Sequence, residues 1–294
     1  MSNIIFDALD PFDDQARRRL VFAGDIVVDS PTPGGAGLCQ LAQSMLQETF
    51  PEGHPQTAQF RMEVEDFVER LGPLKSRFTN AEETKALVQE LLAERGCDLD
   101  RTYFDVPRLR AATHGGYLTA GVGYAYKAHR DTWYASPHSQ LNWWLPIYTI
   151  TAEQALVFYP SYWSRPVENS SAGFDYDEWV GVGRQMASDQ IKSDTRRHPL
   201  PEEGLDPGSE MRLTCRGATS ICFSSAHLHG TAPNTSGATR YSLDFRTVNI
   251  DDLAANTGAP NVDSESRGTT LADFLRASDF THLPPELTGA APVA

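Results

Sequence analysis

The chain has few of the features that would direct it to a membrane or to a nucleic acid. None of its segments approaches the roughly 18 apolar residues that span a bilayer, and the first twenty residues lack the basic start and apolar run of a signal peptide. Positive charge is scarce, because 25 Lys and Arg face 39 Asp and Glu, which gives a net charge of -14. This charge would repel nucleic-acid phosphates and anionic lipids. We therefore expect neither nucleic acid nor membrane as a partner.

Cysteine is also sparse, with four residues scattered at positions 39, 97, 215 and 222. No CxxC pair and no spacing typical of a zinc site occurs, so reduced thiols in a cytoplasmic protein are expected. Hydrophobic content of 40% and charged content of 22% are typical of a soluble globular enzyme. A length of 294 residues is sufficient to bury a large core.

Apolar residues at helical spacing indicate three amphipathic helices in the first third of the chain. The preceding segment 20–28 is predicted to be a strand. Asn80 is the predicted N-cap of the third helix, with Glu83 three residues later. The apolar positions of the three helices are Leu38, Leu41 and Met45, then Phe60, Val64, Phe67 and Leu71, then Leu87, Val88, Leu91 and Leu92.

Beyond residue 103 the pattern changes to short aromatic and β-branched runs separated by turns. Strands are predicted at 117–129, 141–147, 155–159, 211–214, 219–229 and 240–248, and a short helix near 271–275. These elements predict one mainly β domain with a helical flank and a double-stranded β-helix (jelly-roll, cupin-like) core. We assign the helical N-terminal flank to 1–105, the core to 106–250 with an insert at 160–210, and a C-terminal extension to 251–294.

Two histidines and one aspartate form a candidate metal site. His129 and Asp131 are two residues apart, so on an extended strand they would point to one face. His229 would supply a second imidazole. Two imidazoles and one carboxylate on one side of a metal form the facial triad of non-haem Fe(II) oxygenases, which leaves positions open for a co-substrate and dioxygen.

The segment 240–248 predicts a strand with one polar and one apolar face, as expected of a wall between a wet cavity and a packed core. Arg240, Ser242 and Asp244 lie on the polar face, and a turn-rich link joins this strand to His229. A 2-oxo acid can chelate iron while its far carboxylate binds a fixed cation, for which arginine is suited by its planar fork. We therefore assign Arg240 to the far carboxylate of a 2-oxo acid co-substrate, with Thr231, Ser242 and Asn142 as further contacts.

These residues resemble the phytanoyl-CoA-dioxygenase-like branch of Fe(II)/2-oxoglutarate oxygenases. The resemblance rests on His129-x-Asp131, on His229 with Thr231 two residues later and Arg240 eleven residues later, and on Pro233-Asn234 and the phrase 155–163, and it covers about 110–250. It implies a double-stranded β-helix, iron bound by His129, Asp131 and His229, and a distal carboxylate bound by Arg240 and Thr231. It implies a dioxygenase that consumes O2 and releases succinate and CO2 while it hydroxylates or oxidatively cyclises a substrate. Halogenating relatives replace the carboxylate, so the presence of Asp131 argues against halogenation.

The substrate is less defined by the sequence. The phrases 103–110, 129–134 and 142–144 are similar to those of oxygenases in aminoglycoside antibiotic pathways, including those that close the orthoester ring of hygromycin-type compounds. This similarity implies a polar, cationic and sugar-like small molecule. Acidic residues of the insert could meet its amines, namely Glu168, Asp175, Asp177, Glu178 and Asp189, whereas Arg196-Arg197-His198 of the same insert would favour an anion instead. Aromatic faces suit sugar rings and cations. The residues assigned to the substrate are Trp133, Tyr134, Trp144, Trp163 and His227.

Several alternatives remain open at this stage. His227 shares a predicted strand face with His229, and it is either a group behind the metal, a substrate contact or a structural histidine. His-Arg-Asp also opens a kinase catalytic loop, but that loop needs an asparagine where this chain has Ser136. A zinc hydrolase would not explain Arg240. The alternative functions are a catalytically silent jelly-roll binding protein and a hydroxylase of an unrelated sugar or lipid-linked substrate; the sequence does not indicate an oligomeric state.

Overall fold

Four long helices occupy the first third of the chain and lie on one side of the sheets. The computed structural model describes residues 3–6, 13–123, 127–183, 190–191 and 193–288. The long helices are α1 (Asp14–Phe22), α2 (Pro33–Thr49), α3 (Val64–Asn80) and α4 (Glu82–Glu94), and short ones follow as α5 (Tyr176–Glu178), α6 (Ile250–Ala254) and α7 (Pro285–Thr288). No helix among these residues has the length and apolar character needed to cross a bilayer.

The three predicted amphipathic helices are confirmed as α2, α3 and α4, but two of their starting points differ. Phe60 ends a 3-10 turn before α3 and is 56% exposed, so it does not belong to that helix's buried stripe. Asn80 is the last residue of α3, and Ala81 is the N-cap of α4 without a side-chain hydrogen bond. The predicted Asn80 cap was wrong because α3 continues through it.

The strands form two sheets that pack face to face. The larger sheet has the order β1-β2-β8-β5-β10-β3-β11 with β4 also paired to β10, and the smaller has the order β7-β6-β9. The strands are β1 (Ile4–Phe6), β2 (Ile26–Asp29), β3 (Thr102–Asp105), β4 (Arg108–Ala112), β5 (Leu141–Pro146), β6 (Leu156–Phe158), β7 (Met211–Leu213), β8 (Ser220–Ser224), β9 (His229–Thr231), β10 (Arg240–Asn249) and β11 (Phe274–Arg276). The chain thus combines a β-sheet core with a helical flank, and β1 and β2 of that flank join the larger sheet.

The predicted strands at 141–147, 155–159, 211–214 and 240–248 are confirmed as β5, β6, β7 and β10. The others need correction. The segment 20–28 is the end of α1, a turn at Gly24 with φ of 100°, and β2. The segment 117–129 contains a 3-10 turn at Gly121–Gly123 and pairs only through His129, while 124–126 lie outside the described residues. Residues 225–228 separate β8 from β9, and 271–275 is a 3-10 turn leading into β11.

The two faces of β10 point to different surroundings, one to the apolar core beneath the helices and the other to the space between the two sheets. Tyr241, Leu243 and Phe245 belong to the main apolar cluster, which also contains the buried stripes of α2, α3 and α4. A second cluster joins Ile221 and Phe223 of the larger sheet to Leu156 and Phe158 of the smaller one. The sequence alternation of β10 therefore corresponds to helices on one side and a space between the sheets on the other.

Candidate metal centre and cavity

A two-residue backbone bridge brings the two candidate histidine ligands together. His129 and His229 exchange both backbone hydrogen bonds, at 2.8 and 2.9 Å, in an isolated antiparallel bridge. Residues paired in this way carry their side chains on the same face, and the two ring centroids lie 4.5 Å apart. The single pair at the start of β9 thus places the two histidines side by side, which the sequence had predicted long strands to do.

Asp131 completes the cluster from outside any strand. It is the first residue of a 3-10 turn (Asp131–Tyr134), and its backbone N–H donates to Ser225 O. The prediction that His129 and Asp131 share one strand face was wrong, since the extended backbone ends at Arg130. The side chains nevertheless converge: one ligand atom from each of His129, Asp131 and His229 lies within 4.8 Å of the others, and all three residues are buried.

Hydrogen bonds at Nδ1 fix both imidazoles and make Nε2 the candidate ligand atom of each. His129 Nδ1 lies 2.8 Å from Lys127 O, and His229 Nδ1 lies 2.9 Å from His227 O. A carbonyl oxygen only accepts, so each Nδ1 carries a hydrogen and Nε2 is the ring nitrogen that would bind a metal. Burial, together with the charge of His129, lowers the pKa of His229 to about 4. His229 is therefore neutral at pH 7, the form that binds a metal.

Two amide side chains orient the carboxylate of Asp131. Asn142 Nδ2 donates to its Oδ2 at 2.6 Å, and Gln140 Nε2 lies 3.4 Å from the same oxygen. The other oxygen, Oδ1, lies 3.2 Å from His129 Nε2, as two ligands of one ion would. Burial would raise the pKa of Asp131, but contact with His129 and the positive charge of Arg246 hold it well below its usual range. The donor set therefore fits a divalent first-row metal, because an ionised carboxylate and two imidazole nitrogens face one point.

These three residues open into a cavity of about 380 Å³ between the two sheets and the insert, a size suited to a small molecule. Among its lining residues are Arg240, Thr231 and Asn142, which were assigned to 2-oxoglutarate, and Tyr134 and Trp144, which were assigned to the substrate. The structure thus brings five of the predicted contact residues into the same space as the candidate ligands.

Arg240 is a buried cation with little protein contact. Its guanidinium lies 5.5 Å from the ring centre of Trp144, and its Nη1 donates to Gln154 O at 3.3 Å. Its Nε has no hydrogen-bond partner among the described residues. Burial lowers its pKa to about 10, so it remains charged at pH 7. A buried, incompletely paired guanidinium is costly, and a carboxylate ligand would pair it.

Ser242 lies two residues further along the same face of β10. It is fully buried, its Oγ also lacks a partner among the described residues, and it does not itself line the cavity. Thr231 lines the cavity from β9, two residues after His229. These hydroxyls are donors that a carboxylate held at Arg240 could use.

Three residues assigned to the substrate lie outside the cavity lining. Trp133 is fully buried, and its Nε1 donates to Asp263 at 2.7 Å. Trp163 packs its ring on His227 with centroids 4.5 Å apart. His227 lies 3.0 Å from Gly24 O through Nε2, and its Nδ1 accepts from Ser224 N. Both ring nitrogens of His227 are thus satisfied, which favours the structural interpretation among those left open.

The sequence reading missed most of the charged wall of the cavity. Arg110 and Asp244 form a two-pronged ion pair at 2.6 and 3.0 Å across β4 and β10. Arg246 donates to Asp105 at 2.9 Å. Alternation at Arg108 and Arg110, and at Asp244 and Arg246, is the sequence signal of this wall, but it becomes informative only once β4 is known to pair with β10, because directly paired residues share a face.

No protein-family model and no curated protein sequence matches the chain. Among solved structures it is similar to EvdO2 from Micromonospora carbonacea var. aurantiaca at 14% identity and a TM-score of 0.38, over 59% of this chain and 62% of that one. It is also similar to AviO1 from Streptomyces viridochromogenes Tue57, at 13% identity and a TM-score of 0.38, over 81% of this chain and 96% of that one. A third similar structure is that of SnoN, described as a non-heme alpha ketoglutarate dependent epimerase from nogalamycin biosynthesis. It has 13% identity and a TM-score of 0.39, over 80% of this chain and 84% of that one. Similarity at this level does not assign a function to the chain.

Proposed function

We propose that this chain is an Fe(II)/2-oxoglutarate-dependent dioxygenase of the phytanoyl-CoA-dioxygenase-like branch, a single domain with a double-stranded β-helix core. One observation carries the proposal: the side chains of His129, Asp131 and His229 converge in the same cavity as Arg240. A facial set of ligands alone would also suit a hydrolase. Arg240 is a buried cation in the same cavity, and its Nε has no partner among the described residues, which suits a dicarboxylate co-substrate.

In this proposal the two Nε2 atoms and one Asp131 oxygen hold Fe(II), and Arg240 with Thr231 and Ser242 holds the distal carboxylate of 2-oxoglutarate. When bound, the metal and co-substrate supply oxidation by O2, with succinate and CO2 as by-products. The protein's part is positioning. Asn142 holds the carboxylate of Asp131 in one orientation, and the buried walls exclude water from the reacting atoms.

The substrate in this proposal is a polar small molecule that is hydroxylated or oxidatively cyclised, as in antibiotic biosynthesis. Tyr134 and Trp144 support a substrate site, since both line the cavity. The four cysteines are unpaired, three of them buried, which is typical of a reducing compartment, and we place the protein in the cytoplasm.

The test is formation of succinate by protein reconstituted with Fe(II) and supplied with 2-oxoglutarate and O2, with and without candidate substrates. We expect metal-dependent succinate from the wild type and none above background from His129→Ala. The proposal fails if both proteins form succinate equally. Undiminished binding of 2-oxoglutarate without any turnover would instead support the silent binding protein.

A further inference from the structure

We propose that the cavity contains a second anion site, formed by Lys75, Arg110 and Arg196, that binds an oxyanion group of the organic substrate. The ligand chemistry is that of a carboxylate, sulfate or phosphate. The identification of this ligand as part of the substrate rests on the proposed oxygenase function. The site itself rests on the following contacts and charges.

Lys75 is a cation without a carboxylate partner. It lies on α3, is half-buried and lines the cavity, and its Nζ donates to the backbone oxygen of Val122. No carboxylate lies within ion-pairing distance of it among the described residues. Burial and the charges of Arg110, Arg196 and Arg108, opposed by that of Asp244, lower its pKa to about 7. An ammonium crowded by other cations is stabilised by any anion that enters.

Arg110 and Arg196 line the same cavity, and an ion pair holds each of them. Arg110 is fixed by its two-pronged pair with Asp244. Arg196 is fixed in the same way by Asp194, at 2.8 and 2.6 Å. These pairs set the orientation of both guanidinium groups before any ligand arrives, which reduces the entropy cost of binding.

The charge of the cavity is opposite to that of the chain. Among the described residues six cations line it (Lys75, Arg108, Arg110, Arg196, Arg240, Arg246) against four carboxylates (Asp105, Asp131, Asp244, Asp273), and a fifth carboxylate outside the lining, Asp194, pairs with Arg196. Asp131 is committed to the metal, and Arg240 to the co-substrate. A cationic cavity in a chain of net charge -14 concentrates anions at that one place.

The insert adds an aromatic wall to this site. Phe174, Tyr176 and Trp179 line the cavity, and the Arg196 guanidinium lies 5.3 Å from the Trp179 ring centre. Of the acidic insert residues that could meet a cationic substrate, Glu168, Asp175, Asp177 and Glu178 are absent from the lining, and Asp189 lies outside the described residues. The cavity therefore favours an anionic group attached to a ring or apolar body over the polycation expected from the sequence.

The test is a titration of the anaerobic Fe(II)-loaded protein, saturated with 2-oxoglutarate so that Arg240 is occupied, with sulfate. Calorimetry gives the affinity. Lys75→Met is expected to weaken sulfate binding about tenfold or more, because a charge-assisted hydrogen bond is lost. Lys85→Met is the matched control, since Lys85 on α4 does not line the cavity, and it is expected to bind sulfate like the wild type. Acetate in place of sulfate distinguishes a carboxylate site from one that requires a tetrahedral anion.

A pH series separates this site from general charge effects. Sulfate keeps its charge from pH 6 to 9, so its affinity for the wild type is expected to fall as Lys75 deprotonates, and Lys75→Met is expected to remove that fall. Equal sulfate affinity in the wild type and both variants would mean an adventitious ion only and would overturn the proposal. If Lys75→Met does not fold, Arg196→Gln provides the same comparison. Sulfate binding that survives while 2-oxoglutarate fails to bind would reject the oxygenase function and leave the anion site standing.

Discussion

The two faces of β10 are built from one ten-residue strand, yet they have opposite physical character. Tyr241, Leu243 and Phe245 face the helices and are stabilised by exclusion of water. Arg240, Asp244 and Arg246 face the cavity, where burial of charge costs free energy. The outer face therefore accounts for stability, and the inner face is explained by the ligands it would bind. Each of the following predictions tests this division.

The largest effect is expected on the outer face. Leu243 is fully buried, so Leu243→Ala is expected to lower the free energy of unfolding by about 2–5 kcal/mol through loss of contacts and a residual cavity. Denaturant unfolding measures this change. The affinity of the folded variant for metal should match the wild type. A variant that kept its stability but lost metal affinity would break the division between the two faces.

The next effect concerns Arg240. Arg240→Met is expected to weaken 2-oxoglutarate binding by about 3 kcal/mol, or roughly 100-fold, because the distal carboxylate loses its buried partner. The free energy of unfolding should stay the same or rise, since a poorly paired buried charge is removed. Calorimetry and denaturant unfolding measure the two quantities. Unchanged 2-oxoglutarate affinity would contradict the assignment, and Arg240→Lys should restore only part of the binding.

A smaller effect is expected at Asn142, which the sequence assigned to 2-oxoglutarate but which the structure places on Asp131. Asn142→Ala is expected to lower metal affinity about 10- to 100-fold, because the orientation of the ligand carboxylate is lost. At saturating metal its affinity for 2-oxoglutarate should change little. Ser242→Ala is the comparison, with the reverse pattern expected. If Asn142→Ala lowered only the affinity for 2-oxoglutarate, the assignment of Asn142 to 2-oxoglutarate from the sequence would be correct.

The smallest effect is a pH dependence at His198, next to the cavity. Burial, opposed by Asp194 and reinforced by Arg196, lowers its pKa to about 4. In the unfolded chain the pKa is about 6.5, so between these values the unfolded state binds more protons and stability falls as pH falls. His198→Gln should remove on the order of 1 kcal/mol of the stability lost between pH 7 and 4. In Leu243→Ala the free energy of unfolding should depend on pH as steeply as in the wild type. An equally steep pH dependence in His198→Gln would show that His198 does not cause it.

The sequence predicted the elements whose pattern is local. Alternation along 240–248 identified β10 and its polar face, and helical spacing identified α2, α3 and α4. The ligand set was also recognisable, because spacing alone placed His129 and Asp131 close together whether or not the backbone formed a strand. Their actual arrangement depends on one backbone pair with His229, which is a contact across a hundred residues that no local pattern encodes.

The charged wall was harder to predict for the same reason. Arg108 and Arg110 alternate on a five-residue strand, too short a pattern to distinguish from a solvated edge. Their role becomes visible only once β4 pairs with β10 and sets Arg108 beside Asp244. His227 is the opposite case, a residue whose sequence position suggested a functional role that its contacts do not support. It lies two residues before His229, but its two ring nitrogens form hydrogen bonds with the backbone of Gly24 and Ser224.

The central claim is that a metal bound by His129, Asp131 and His229 and a carboxylate bound by Arg240 belong to one ligand site. The most direct test is the affinity for 2-oxoglutarate, measured anaerobically by calorimetry with and without Fe(II). The account predicts that Fe(II) strengthens binding at least about 100-fold in the wild type and has no such effect in His129→Ala. Equal affinity with and without Fe(II) would contradict it.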